Sequence, residues 1–370
     1  MLNVFKPDMG EEEIQAVAEV LRSGWIGLGP KTAQFEKDFS AFIGVQHAIG
    51  LNSCTAALDL ALRMVDVRNG DEVIVPTMTF VSTAHVVAYN LAYPIFADVD
   101  RHTKNIDLGD VKKKITNRTK AIVVVHYGGR PAELDELKQI AGDIPVIEDA
   151  AHACGARYKG RRVGSHGNLT CFSFHAVKNL AMGDGGALTT DNKKFNDRAK
   201  RLRWLGIDTG TWDRTAGDRS YWWEYDVDEI GFKCHLNDIA AAIGLVQLKK
   251  LDRMNERRQK IKKIYNEGLR DLERIKLPPD DDDNHQSAWH IYCIEADQRN
   301  QLALHLQESG ISTGVHYKPI HLYKCYGNRP VLPVAEALFE RILTLPMYPT
   351  LTDEDVWRII GCIRDFYRKS

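Results

Sequence analysis

Two stretches near the start of the chain alternate polar and apolar residues with a helical period, EEEIQAVAEVLRSG at 11–24 and KTAQFEKDFSAFIG at 31–44. The second ends on glycine, as helices commonly do. The pattern then changes. Short runs rich in Val, Ile and Phe follow one another: DEVIVPT at 71–77, AYPIFADV at 92–99, AIVVVHY at 121–127, PVIEDA at 145–150, TCFSFH at 170–175 and GGALTT at 185–190. Helical segments such as SCTAALDLALRMV and ELDELKQIAG lie between them. Near-continuous apolar strands between amphipathic helices predict an α/β fold with a mostly parallel sheet covered on both faces. Residues 206–228, rich in Trp, Tyr, Asp and Gly and without a period, predict an ordered loop. Residues 238–270 predict a helix bent or broken near Asp252, and the acidic run at 280–283 a solvated turn. From SAWHIYCIEA onward, strand and helix patterns return and predict a smaller α/β domain.

Composition narrows the classes. A chain of 370 residues can bury a large core and form two domains. Lys and Arg total 49 against 50 Asp and Glu, a formal net charge of -1. That balance gives no overall attraction to nucleic acid or to an anionic membrane, and neither is expected as a partner. No apolar run reaches the roughly 20 residues of a spanning helix, and the start MLNVFKPDMGEEEIQ lacks the pattern of a secretory signal. Seven cysteines form no CxxC pair. An odd count spread over a long chain suits a reducing compartment, so a cytoplasmic protein is expected.

Neither GxGxxG nor GxxxxGK[ST] occurs, which removes the usual dinucleotide and ATP readings. The serine of GSHGN lacks the setting of a nucleophile elbow. His126, His152 and His175 show no ligand spacing and no acidic partner, so no metal is expected. The stretch FSFHAVKN at 172–179, followed by LAMGDGGALTT, is more informative. It sets one lysine, Lys178, between an aromatic strand and a glycine cluster, where a Schiff-base lysine would have a rigid backing and room for a bulky cofactor. Asp149 ends the apolar strand VIED, where a carboxylate is costly unless something cationic pairs with it; a protonated pyridine nitrogen is such a partner. Read singly, Asp149 could cap the next helix and Lys178 could sit on a rim. Strand ends of a doubly wound sheet converge on one crevice, which favours the joint reading.

These residues carry a resemblance. IEDAAHACGARYKGRRVGSHGNLTCFSFHAVKNLAMGDGGALTT resembles the active-site half of the DegT/DnrJ/EryC1/StrS sugar aminotransferases, fold-type-I enzymes dependent on pyridoxal 5'-phosphate. The likeness extends over nearly the whole chain, through LNSCTAAL, GDEVIVPTMTFVSTAHVV, DIAAAIGLVQLKKLD and HYKPIHL. It implies a large domain over 1–245 with a mostly parallel seven-stranded sheet, and a small domain over 246–370. Residues 206–235 would form an active-site and interface loop. It also implies that Lys178 holds the cofactor covalently, that Asp149 pairs with the pyridine nitrogen, and that His152 reaches the ring's phenolic oxygen. Phe80 would stack on the ring, and Thr55, Ala56 and Ser173 would hold the phosphate. The bland alternatives are core packing for Phe80 and an ordinary helix cap for Thr55.

The chain departs from the common family pattern at Cys54, where glycine is frequent, and in GFKCHLND at 231–238. There Lys233 replaces an asparagine that reaches the partner subunit's phosphate, a task a lysine could serve as a point charge; His235 replaces an arginine, and no role follows for it. The resemblance implies a homodimer with shared active sites, L-glutamate as amino donor, and a nucleotide-linked keto sugar as acceptor, a 4-keto-6-deoxy sugar foremost. Amination of a keto-inositol is the main rival. A sugar dehydratase, which typically has histidine at the lysine position, and a non-enzymatic scaffold are weaker ones. Diphosphate-binding candidates in 206–235 and around HYKPIHL, with Trp204, Trp222 and Trp223 nearby, are too many for the sequence to choose among.

Overall fold

The computed structural model describes residues 1–208, 224–327 and 330–369. The chain opens with α1 (Glu11–Ser23) and α2 (Pro30–Ile43). Helix α2 stops at Gly44, whose φ of 89° suits glycine and whose N–H bonds back to the Ser40 carbonyl at 2.9 Å. An alternation follows: β1 (His47–Leu51), α3 (Cys54–Met64), β2 (Glu72–Pro76), α4 (Ser82–Tyr89), β3 (Tyr93–Ala97), α5 (Leu108–Lys114), β4 (Thr119–Val125), α6 (Leu134–Ala141) and β5 (Val146–Asp149). The short strands β6 (Arg157–Tyr158) and β7 (Arg161–Arg162) precede β8 (Leu169–Ser173), β9 (Gly186–Thr190) and α7 (Lys193–Leu202).

Seven of these strands form one sheet in the order β1-β9-β8-β5-β4-β2-β3. All neighbours from β8 to β3 run parallel; β9 is antiparallel to both β8 and β1. The sheet is covered on both faces, as the apolar runs require. Val73 and Val75 of β2 pack with α3 and α4, whereas Ile74 packs on the opposite side with residues of α5 and α6.

The remaining chain contributes α8 (Asp238–Leu269), β10 (Ile275–Lys276), β11 (His285–Gln286), β12 (Tyr292–Ala296), α9 (Arg299–Glu308), α10 (Pro333–Phe339), β13 (Ile342–Leu345) and α11 (Asp353–Lys369). Strands β10, β12 and β13 make a small antiparallel sheet, while β11 joins β6 and β7. The small sheet packs its Tyr292, Ile294, Leu343 and Leu345 against Ile261 and Tyr265 of α8 and Ile359 and Ile363 of α11.

The expected break near Asp252 is absent: α8 is one continuous helix of 32 residues. A lone aspartate inside a helix costs only a few tenths of a kcal/mol, and neither a proline nor a missing hydrogen bond breaks the ladder here. Asp252 instead faces solvent and pairs with Arg162 at 2.9 Å. The helix therefore runs from α1 and α2 at its start to α11 at its end. No helix among the described residues is long and apolar enough to cross a membrane.

Candidate active site

Sheet order brings the C-terminal ends of β1, β2, β5 and β8 to one edge, and a cavity of about 370 Å³ opens there. Strand β5 delivers Asp149, which is 4% exposed. Its two oxygens are held separately. Thr83, in the first turn of α4, donates its hydroxyl to Oδ2 at 2.8 Å, and the Ala151 amide donates to Oδ1 at 3.1 Å. Burial pushes the carboxyl above its ordinary value, against these donors and the nearby Lys178 cation. The preceding residue, Glu148, projects to the other face of the sheet, where it takes the His126 ring N–H at 2.9 Å and the Asn168 amide at 2.8 Å. His126 thus belongs to a buried structural pair. Among the described residues no group of His, Cys, Asp and Glu is arranged to hold a metal ion.

Lys178 lies in the turn after β8, its backbone N–H donating to the His175 carbonyl at 2.9 Å, and lines the cavity. Desolvation of its amine lowers the pKa to about 8, with Asp149 and Cys54 pulling the other way. An amine in that range is a usable nucleophile and proton carrier near neutral pH. Ser173, the last residue of β8, also lines the cavity, and its hydroxyl accepts the His175 amide at 3.4 Å.

The helix start facing this strand is α3. Ser53 is its cap: its hydroxyl accepts the Ala56 amide at 3.1 Å. Thr55 is therefore not the cap but a first-turn residue, and it lines the cavity; Ala56 does not. Gly186 lets β9 approach this helix start: a Cβ there would lie 2.4 Å from the Ser53 carbonyl carbon and 2.6 Å from the Cys54 nitrogen. That contact accounts for the second glycine of the pair following Asp184. Cys54 is buried beside the site, its sulfur 3.9 Å from Asp149 Oδ1.

Phe80 stands at the cavity wall, 59% exposed, which the core-packing alternative does not allow. Its ring centre is 6.4 Å from that of Tyr317. His152 is buried in the wall, with Nε2 bonded to the Tyr317 hydroxyl at 2.9 Å and Nδ1 without a hydrogen-bond partner among the described residues. Burial and the Lys178 charge hold His152 neutral, well below the usual histidine range.

The structure thus gathers Lys178, Asp149, His152, Ser173, Thr55 and Phe80 around one cavity. Lys233 is elsewhere. It is exposed, with its amine 3.2 Å from the centre of the Trp204 ring, and it does not line the cavity of its own chain. His235, whose role the sequence left open, packs edge-on against the same Trp204 at 4.4 Å. Trp222 and Trp223 fall outside the described residues. Of the HYKPIHL block, His316 and Tyr317 line the cavity. Thr83 and Tyr317 are the polar contacts that sequence reasoning did not single out. Thr83 had a signal, since it lies one helical turn beyond Thr79 in the quoted PTMTFVSTAHVV, whereas Tyr317 arrives from 165 residues away in the chain.

The arrangement matches what pyridoxal phosphate needs. A desolvated lysine, a buried carboxylate without a fixed cation, an unpaired buried imidazole nitrogen and an exposed aromatic face surround one space, with a helix start beside it. Comparison with known proteins agrees. The chain matches the DegT/DnrJ/EryC1/StrS aminotransferase family over residues 7–364, and it belongs to that family. It is 41% identical to the spore coat polysaccharide biosynthesis protein SpsC of Bacillus subtilis, across 98% of this chain and 96% of SpsC. Its fold superposes on that of the aminotransferase TlmJ from Streptoalloteichus hindustanus with a TM-score of 0.94, at 37% identity and covering 100% of this chain and 99% of TlmJ. The pyridoxal-phosphate form of the putative sugar aminotransferase Spr1654 from Streptococcus pneumoniae gives 0.91 at 34% identity, over 99% of this chain and 98% of that one. The chain is a sugar aminotransferase of this family, with pyridoxal phosphate as cofactor.

Proposed function

We propose that this enzyme transfers the amino group of L-glutamate to a nucleotide-linked keto sugar, a 4-keto-6-deoxy sugar in the first instance, for a surface polysaccharide. The observation that carries the chemistry is the pairing of Lys178, its pKa lowered to about 8, with buried Asp149 across one cavity. The sugar reading is supported by the family and by the polysaccharide role in the name of SpsC. When bound, the cofactor supplies an electron sink that acidifies the carbon bearing the amino group.

The residues do the rest. Asp149 supplies the negative charge that keeps a pyridine nitrogen protonated, and Thr83 and Ala151 keep that charge aimed. Lys178 Nζ would take the proton from the donor's α-carbon and deliver it to the cofactor carbon on the other side of the shared nitrogen; in the second half-reaction the same amine would run the transfer in reverse. Thr55 and Ser173 line the cavity and would hold a phosphate there, since backbone amides at a helix start favour a dianion. Phe80, exposed at the cavity wall, would stack on the ring, and His152, whose Nδ1 has no protein partner among the described residues, would supply a polar contact for a ring oxygen. Lys233 would complete the phosphate site of a partner subunit, so the active unit is a homodimer.

Three measurements test this. Borohydride reduction and peptide mapping should place the cofactor on Lys178; an adduct on another lysine would remove the assignment. A coupled assay of glutamate-dependent 2-oxoglutarate formation should then show turnover with one keto sugar among UDP-, dTDP- and GDP-linked acceptors. Turnover with a keto-inositol alone would replace the sugar reading by an aminocyclitol one. Sedimentation showing a fully active monomer would refute the shared site.

A further inference from the structure

We infer that Tyr317 is a positioning residue that locks His152, a residue of the cavity wall, in the tautomer carrying its proton on Nδ1, which makes that nitrogen an unpaired donor for the cofactor. A histidine alone is ambiguous in such a place. Either ring nitrogen can carry the proton, and the bare one would present a lone pair to an electron-rich oxygen. The surroundings of His152 remove the ambiguity.

Tyr317 is the first of these. Its hydroxyl bonds to His152 Nε2 at 2.9 Å and has no other hydrogen-bond partner among the described residues. Burial and the Asp149 charge push the phenol well above its ordinary value, so it remains protonated. A hydroxyl with one partner satisfies its own proton only by donating there, which requires Nε2 to be the acceptor. The His152 proton then sits on Nδ1, the nitrogen that the protein leaves buried without a partner. A donor left unpaired by protein in a cavity wall is a binding feature rather than a packing defect.

Burial removes the other route, protonation of both nitrogens, and His290 adds no charge that would restore it. His290 lies against His152 with ring centres 4.3 Å apart, and burial keeps it neutral as well. Its own Nδ1 is bonded to Asn179 Oδ1 at 3.0 Å, and Phe5 stacks on its ring at 5.2 Å. The titratable groups acting on His152 are Lys178 and His316, and both oppose a second proton on it. A neutral imidazole with an accepting Nε2 is what remains. The arrangement joins distant parts of the chain, since His152 follows β5 while Tyr317 and His290 come from the segments around β12 and β13. Asn179, the neighbour of Lys178, is in turn held by the Ala288 carbonyl at 2.8 Å.

The inference rests on the proposed contact between His152 and the phenolic oxygen of the cofactor, and its test separates the two. Long-range ¹⁵N–¹H correlation of histidine-labelled holoenzyme, with His152 assigned by its loss in His152→Gln, reads the tautomer directly. A protonated Nδ1 and bare Nε2 are expected; the reverse pattern, or fast exchange between the two, would overturn the proposal. The second arm uses Tyr317→Phe, which keeps the ring, alone and combined with His152→Gln. An amide needs no tautomer selection, so its donor survives loss of Tyr317. In the otherwise native holoenzyme, Tyr317→Phe should move the visible absorbance band of the cofactor and speed its release about fivefold, the effect of one weakened hydrogen bond. In protein already carrying His152→Gln the same change should do much less. Equal effects in both backgrounds would make Tyr317 a packing residue and overturn the proposal, as would no effect in either. A spectrum untouched by His152→Ala would instead count against the cofactor contact itself.

Discussion

Thr83→Val tests whether Asp149 is tuned as the geometry implies. The substitution exchanges a hydroxyl for a methyl of nearly equal size, so it removes a donor and leaves the packing. Two bonds go: the one from Thr83 Oγ1 to Asp149 Oδ2 at 2.8 Å, and the contact with Thr79 Oγ1 at 3.1 Å. The contact with Thr79 is neutral and costs about 1 kcal/mol at any pH. The bond to Asp149 is charge-assisted, and its loss costs about 1.5–3 kcal/mol while Asp149 is ionised. At 1.36 kcal/mol per unit, that raises the folded pKa of Asp149 by about 1–2 units. The sign follows from burial, which already places the folded pKa above the unfolded value. Protonation of Asp149 therefore stabilises the fold at low pH, and this stability is lost as the pH rises through the folded pKa. Thr83→Val shifts that loss upward, so its extra deficit opens between the wild-type and variant folded pKa values and stays constant above them. Urea unfolding of the cofactor-free protein from pH 4 to pH 8 would measure it, and cofactor affinity at neutral pH should fall about tenfold or more. A stability loss independent of pH, with unchanged affinity, would refute the reasoning: Asp149 would then not depend on Thr83 for its charge.

Other expectations follow from the same contacts. Asp149→Asn should retain the fold but lose roughly 10²–10³ in turnover, and rates within about twofold of wild type would mean that another group serves the ring nitrogen. In cofactor-free protein, acylation of Lys178 should rise through pH about 8, well before the other lysines; peptide mapping over a pH series would show it. Gly186→Ala should displace the start of α3, because its Cβ would sit 2.4 Å from the Ser53 carbonyl carbon; cofactor titration should reveal weakened binding. Asp238→Ala should cost about 3 kcal/mol in urea unfolding, since its carboxylate accepts the Gly29, Lys31 and Thr32 amides and the Thr32 hydroxyl at the start of α2.

The sequence by itself determined the parallel core and most of its chemistry. Strands such as VIVP and AIVVV are apolar at every position because both faces are covered, and that shows in the residues alone. Lys178 and Asp149 were legible for a related reason: Asp149 ends such a strand and Lys178 lies in the turn that follows another, where a polar group beside an apolar run is conspicuous. Tertiary structure decided what depends on distance in space. What α8 touches was likewise out of reach: Asp252 sits inside an unbroken helix and meets Arg162 from 90 residues away, a contact no local pattern encodes. The donor to Asp149 Oδ2 comes from a different strand-to-helix turn, and the partner of His152 comes from beyond β12. Ser53 rather than Thr55 caps α3 because the cap is set by backbone angles at the turn, and both residue types suit that place. Periodicity records which face of an element is buried, while hydrogen-bond partners and protonation states are settled only when separate elements meet.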